Sequence, residues 1–188
     1  MAFLGLVLYV YAVEVERRRF DVVLAGLAFW CADWLNEVVN ALVLHFTDRA
    51  PLWAVTGDTS YLILIGLAIE ISFLFAIAGI VYVKCLPPDP RTRILGLPNR
   101  WAIGLALSLL AVFVEVLLHE AGVFHWEYWW WNVPFVPLIV VLGYLWFFAF
   151  TFWVYDMRDL RRQVRAVGTL AALDATAIVV FGPVLGWI

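Results

Sequence analysis

Five stretches of mostly apolar residues, each long enough to cross a bilayer as a helix, follow one another along the chain at roughly 20–46, 61–86, 101–121, 133–155 and 167–188. About 20 such residues, rising 1.5 Å each, reach across the hydrocarbon core. A sixth and shorter run, 1–13, opens the chain and predicts a partial or tilted helix. The pattern predicts an all-α, polytopic transmembrane helical bundle, with five full spans and a short sixth at the N-terminus. It is expected to form a single integral membrane domain over 1–188. Composition excludes the soluble alternative. The chain is 65% apolar and 14% charged, against about 45–50% and 25% in soluble domains.

Lysine and arginine orient the spans. Arg17, Arg18 and Arg19 fall in the first loop, Lys84, Arg91, Arg93 and Arg100 in or beside the third, and Arg158, Arg161, Arg162 and Arg165 in the fifth. Only Arg49 lies outside this set of eleven among the 12 basic residues. The positive-inside rule makes the basic loops cytoplasmic and puts both termini on the opposite side. A net charge of −3, without a basic patch outside these loops, argues against a nucleic-acid partner. Cys31 and Cys85 have no CxxC or Cys/His spacing and read as packing residues.

Acidic side chains sit where lipid disfavours them. Glu37, Glu70 and Glu115 come from three different spans, each expected about 9–14 Å below the surface facing away from the arginines. Ionisable groups at such depth are costly and usually mark a functional interior. Asp33, Glu37 and Asn40 follow at i, i+4 and i+7, which puts them on one stripe of the second helix. Asp174, seven residues into the last apolar stretch, is expected near the arginine-rich side. The catalytic candidates are therefore Glu37, Glu70 and Glu115, with Asp33 and Asp174.

Trp34, Asn40, His45, Trp53, His119, Trp126, Tyr144 and Trp146 are the substrate-binding candidates, set beneath a rim that runs to Trp131. Glu120, His125 and Glu127 read as solvated loop charges, and Asp156 as the ion-pair partner of Arg158. No metal is expected. His119-Glu120 lacks the second histidine of an HExxH motif, and His125 lies six residues on, off the same helical face. No Gly-rich phosphate loop, Ser/His/Asp arrangement or other cofactor motif is present.

Of two carboxyl groups in one apolar site, one can give up a proton as general acid while the other, ionised and held by Asn or His donors, takes it back. Aromatic faces stabilise positive charge between them. This combination suits an enzyme that protonates an alkene or epoxide in a prenyl, terpenoid or sterol-like lipid and lets the cation cyclise or isomerise. Two other classes compete with it. One is a protein that binds or transports a lipid or amphiphile through the same acids, and the other is an accessory subunit of a larger membrane complex. The expected partners are a hydrophobic lipid-like molecule, the surrounding lipids and neighbouring membrane proteins.

Two resemblances bear on these readings. Trp34-Leu35-Asn36-Glu37, with Asp174 in the last span, resembles the acidic pair of the membrane-embedded terpene cyclases of meroterpenoid pathways. It implies a metal-independent enzyme in which Glu37 protonates and Asp174 assists. The order Glu37, His45, Gly57-Asp58-Thr59-Ser60-Tyr61, Glu70 and an acid on the next helix is similar to the sterol isomerase and sigma-receptor-like membrane fold, over residues 30–156. That likeness implies a sterol or cationic amphiphile held between the helices.

Overall fold

Arg17–Arg19 and the Pro87-Pro88-Asp89-Pro90 turn reverse the chain on the arginine-rich side, after its first and third helices. The computed structural model describes residues 2–59 and 61–188. Met1, at the start of the expected 1–13 run, and Ser60, in the Gly57–Tyr61 stretch, lie outside the described residues. Six helical columns alternate in direction: α1 (Ala2–Val15), α2 (Phe20–Thr47), α3 (Ile69–Lys84), α4 (Asn99–Glu120), α5 (Val136–Tyr155) and α6 (Leu160–Val184). Within α5, Ile139–Leu145 winds as a π-helix, as does Val180–Val184 at the end of α6. Four of these helices, α2, α4, α5 and α6, are long and apolar enough to cross a membrane.

The third apolar run departs from expectation. Residues 61–86 do not form one span. Their first part is an antiparallel hairpin of β2 (Leu62–Leu64) and β3 (Leu67–Ala68), and helix begins only at Ile69. Hydropathy cannot separate a buried strand from a buried helix segment. Here the turn at Ile65-Gly66 sits against β1 (Trp53–Val55), whose Val55 N–H donates to Ile65 O at 3.2 Å. β1 in turn pairs antiparallel with β6 (Phe124–Trp126), Trp53 opposite Trp126. This ribbon and the hairpin cover the bundle at the end remote from the arginines. At the opposite end β4 (Arg93–Ile94) and β5 (Leu97–Pro98) form a small exposed hairpin.

α2 is the central column. It packs against α3, α5 and α6, while α1 leans on α3 and α4 on α5. Small residues allow the closest crossing. A Cβ on Gly79 would lie 2.7 Å from Phe29 Cβ and 2.9 Å from Gly26 Cα, an approach typical of small-residue contacts between membrane helices. Around it Phe29 meets the rings of Phe75, Tyr82, Phe147 and Phe148 at 5.0–5.6 Å. α3 and α4 share no comparable interface.

Ion pairs concentrate at the arginine-rich end. Lys84 of α3 pairs with the buried Glu16, and Arg19 donates to Tyr155 Oη at 3.0 Å. Asp156 does not pair with Arg158 as expected. Arg100, brought alongside from the start of α4, donates to both of its carboxylate oxygens at 2.6 and 2.9 Å. A bidentate partner on a neighbouring helix outcompetes one two residues along the chain.

Candidate functional site

A cavity of about 310 Å³ lies between α2, α3, α4 and α5, within the size range of small-molecule sites. Its wall is aromatic and aliphatic, with Phe29, Phe75, Tyr82 and Phe147 toward the arginine-rich end and Trp53, Phe124 and Trp131 beneath the ribbon. Trp53 and Trp131 stack at 5.9 Å. The polar lining comes from α2 (Asp33, Asn36 and Glu37), α4 (Glu115) and α5 (Tyr144).

Each acid is held differently. Glu37 Oε1 accepts from the Trp53 indole at 2.9 Å, whereas Glu37 Oε2 and Asp33 Oδ2 have no hydrogen-bond partner among the described residues. Glu115 Oε1 accepts from Tyr144 Oη at 2.5 Å. The π-turn sets that contact up. Its wider winding carries Tyr144 toward α4 and leaves Gly143 O within 3.4 Å of the Asn36 amide, and such π-turns are frequent at functional sites. Gly66 brings the β2–β3 turn directly over the Glu37–Trp53 pair. A Cβ there would strike the Trp53 indole and stand 2.5 Å from Glu37 Oε2.

The candidates from the sequence divide accordingly. Asp33, Glu37, Glu115, Trp53 and Tyr144 come together around the cavity. Glu70 does not. Because helix starts at Ile69, Glu70 stands in the first turn of α3, outside the lining, where it accepts from Thr59 Oγ1 at 2.6 Å and ties down the preceding loop. The expected common depth of three glutamates is therefore corrected to two glutamates and an aspartate. Asn40 lies on the predicted stripe but holds the backbone. It is fully buried, donates to Trp53 O at 2.8 Å and accepts from the N–H groups of Leu52 and Trp53.

Asp174 is also displaced from its expected level. α6 begins at Leu160 rather than near 167, so Asp174 stands about 20 Å along its helix, level with Asp33 at 1.5 Å per residue. It is buried against α2, facing Cys31, and neither carboxyl oxygen has a hydrogen-bond partner among the described residues. It does not line the cavity.

The remaining ring candidates lie elsewhere. Trp34 donates to Ser72 Oγ at 3.3 Å, His45 stacks on Trp187 at 4.8 Å, and Trp146 stands edge-on to Phe147 at 4.7 Å. His119 stacks on the buried Trp126 at 5.2 Å, its Nδ1 3.2 Å from Phe124 O. Among the described residues no three His, Cys, Asp or Glu side chains are grouped to hold a metal ion.

Residues that reasoning from sequence passed over include Phe29, Phe75, Phe147 and Gly66. Only Gly66 carried a signal, as a lone glycine within an apolar run, where a bend or a close approach is the usual reason.

Helices of this length and apolarity, enclosing carboxyl groups, define a polytopic helical membrane protein with an acid-lined internal cavity. The chain belongs to a family described as an uncharacterized membrane protein family, whose model matches residues 1–183. An uncharacterized protein of Archaeoglobus fulgidus is 47% identical over 182 residues, covering 97% of this chain and 86% of that relative. A second uncharacterized protein of the same organism is 41% identical over 56 residues, which is 30% of this chain and all of the shorter relative. No solved structure matches. The names of these relatives carry no activity, and neither resemblance drawn from the sequence is among the matches.

Proposed function

We propose that the protein is an intramembrane acid–base enzyme that isomerises or cyclises an unsaturated prenyl, terpenoid or sterol-like lipid. The observation that carries this reading is the convergence of Asp33, Glu37 and Glu115 on one cavity whose remaining wall is almost wholly apolar and aromatic. The O–H of one carboxyl adds its proton to a double bond or epoxide oxygen, leaving a carbocation. Phe29, Phe75, Tyr144 and Phe147 line the cavity, and aromatic rings there stabilise it. A second, ionised carboxyl then removes a proton from the adjacent carbon and a new double bond forms. Proton transfer between the two acids restores the starting state. Nothing is oxidised or reduced, and atoms balance without a co-substrate.

Glu37 is the better acid in this scheme and Glu115 the better base. Glu37 Oε2 has no hydrogen-bond partner among the described residues and is free to carry the proton, while the Tyr144 hydroxyl donates to Glu115 and supports its ionised form. In the cell the arginine-rich loops would be cytoplasmic, and the cavity would lie in the opposite half of the bilayer. Glu37→Gln keeps size and polarity but removes the ionisable proton. Turnover of candidate lipids, followed by mass spectrometry of products from reconstituted protein, should fall at least 100-fold, as befits loss of a general acid. Unchanged turnover would remove Glu37 as the acid. If no unsaturated lipid is converted while cationic amphiphiles bind, the protein is a receptor or carrier instead.

A further inference from the structure

We infer that the ligand reaches this cavity sideways from the bilayer, between α3 and α4, and that its inner end bears a neutral hydrogen-bond acceptor and no anionic group. The inference rests on the reading of the cavity as a lipid site and narrows its substrate class.

The route follows from which walls are missing. α2 packs on α3, and α4 packs on α5, but α3 and α4 do not close on each other. Both nonetheless line the cavity, α3 through Leu74 and Ala78 and α4 through Leu110, Val114 and Leu118. Leu74 is 60% exposed, Leu110 53% and Val114 46%. Lining residues exposed on the lipid-facing surface mark a mouth at mid-helix. The ends are covered instead: Trp53, Phe124 and Trp131 are buried beneath the ribbon, and Phe29 and Phe147 are buried toward the arginine-rich end. A water-soluble ligand has no comparable way in. A membrane lipid need only slide between two aliphatic helix faces.

The head-group chemistry follows from charge. Among the described residues no lysine, arginine or histidine lines the cavity, whereas three carboxyl groups do. A phosphate, diphosphate or carboxylate would meet like charge or protonated acids, with no cation to offset its desolvation. A hydroxyl, carbonyl, ether or epoxide oxygen would accept directly from a protonated carboxyl or from the Asn36 amide. The exposed aliphatic lining of the mouth suits an apolar chain trailing into the lipid.

The test uses the full chain in phosphatidylcholine nanodiscs with three photoreactive probes. All carry the same twelve-carbon chain with a mid-chain diazirine, and they end in an alcohol, a phosphate or an ammonium. Labelled peptides are mapped by mass spectrometry with and without excess unlabelled probe. The alcohol probe should give saturable labelling on 71–78 of α3 and 110–118 of α4, and the phosphate probe at least tenfold less. Equal saturable labelling by the phosphate probe, or stronger labelling by the ammonium probe, would overturn the neutral head group. Val114→Trp, which fills the mouth, should reduce alcohol labelling at least tenfold. Leu109→Trp, on the exposed α4 face outside the lining, should leave it unchanged. Full labelling in the Val114 variant would overturn the lateral route. Because the readout is binding, its failure is separable from failure of the turnover assay on Glu37→Gln.

Discussion

Asn40 supports the site from outside the cavity lining, and its removal provides a direct test of how the ribbon is held. The side chain is 0% exposed and makes three hydrogen bonds, to Trp53 O at 2.8 Å and from the N–H groups of Leu52 and Trp53 at 2.7 and 3.2 Å. Asn40→Ala leaves one carbonyl and two N–H groups without this partner. A buried polar group orphaned in this way costs about 1–3 kcal/mol. The groups lie near the end of the bundle, where water can reach some of them once the strand loosens, so the low end applies and the sum is about 3 kcal/mol. For a chain of this size about 1 kcal/mol corresponds to 2–4 °C, so the melting temperature should drop by about 6–12 °C. The chain's 11 tryptophans make intrinsic fluorescence a convenient melting assay in detergent. Asn36→Ala is the matched control: one turn away, it loses a single long bond of 3.4 Å and should cost about 1 kcal/mol or less. Melting temperatures of the two variants within 2 °C of wild type would refute Asn40 as the anchor of the ribbon.

Four further outcomes are expected. Gly66→Ala forces a methyl group against Trp53 and Glu37 Oε2, so it should impair turnover at least tenfold while the melting temperature falls only a few degrees. Tyr144→Phe removes the 2.5 Å donor to Glu115. If Glu115 is the base, turnover falls, whereas binding of the alcohol-ended probe stays within about twofold of wild type. Gly79→Leu wedges a side chain into the α2–α3 crossing. Overpacking of about 1–3 kcal/mol or more should lower the yield of folded protein in size-exclusion chromatography, while Gly168→Leu, in open space on α6, should not. Arg100→Ala removes both bonds to Asp156 and one of 2.8 Å to Pro87 O. Denaturation in mild detergent should report a loss of about 1–3 kcal/mol, and high salt should narrow its difference from wild type.

The sequence by itself determined the class of protein and the alternation of its helices, because hydrophobicity and arginine placement act through composition and length alone. It also determined that α2 carries an acidic stripe, since Asp33 and Glu37 share a face at any helix position. The tertiary structure decided which acids meet. Glu70 is equally deep in the apolar run, but Gly66 turns that run back as a hairpin and puts Glu70 at a helix start, bonded to Thr59. Asn40 shares the stripe of Glu37, yet a backbone strand 12 and 13 residues away claims its amide. Tyr144 reaches Glu115 through a π-turn, a winding with no residue signature of its own. The opening between α3 and α4 is invisible in either helix alone. It exists because each packs on a different neighbour, and that is a property of how six helices divide their faces.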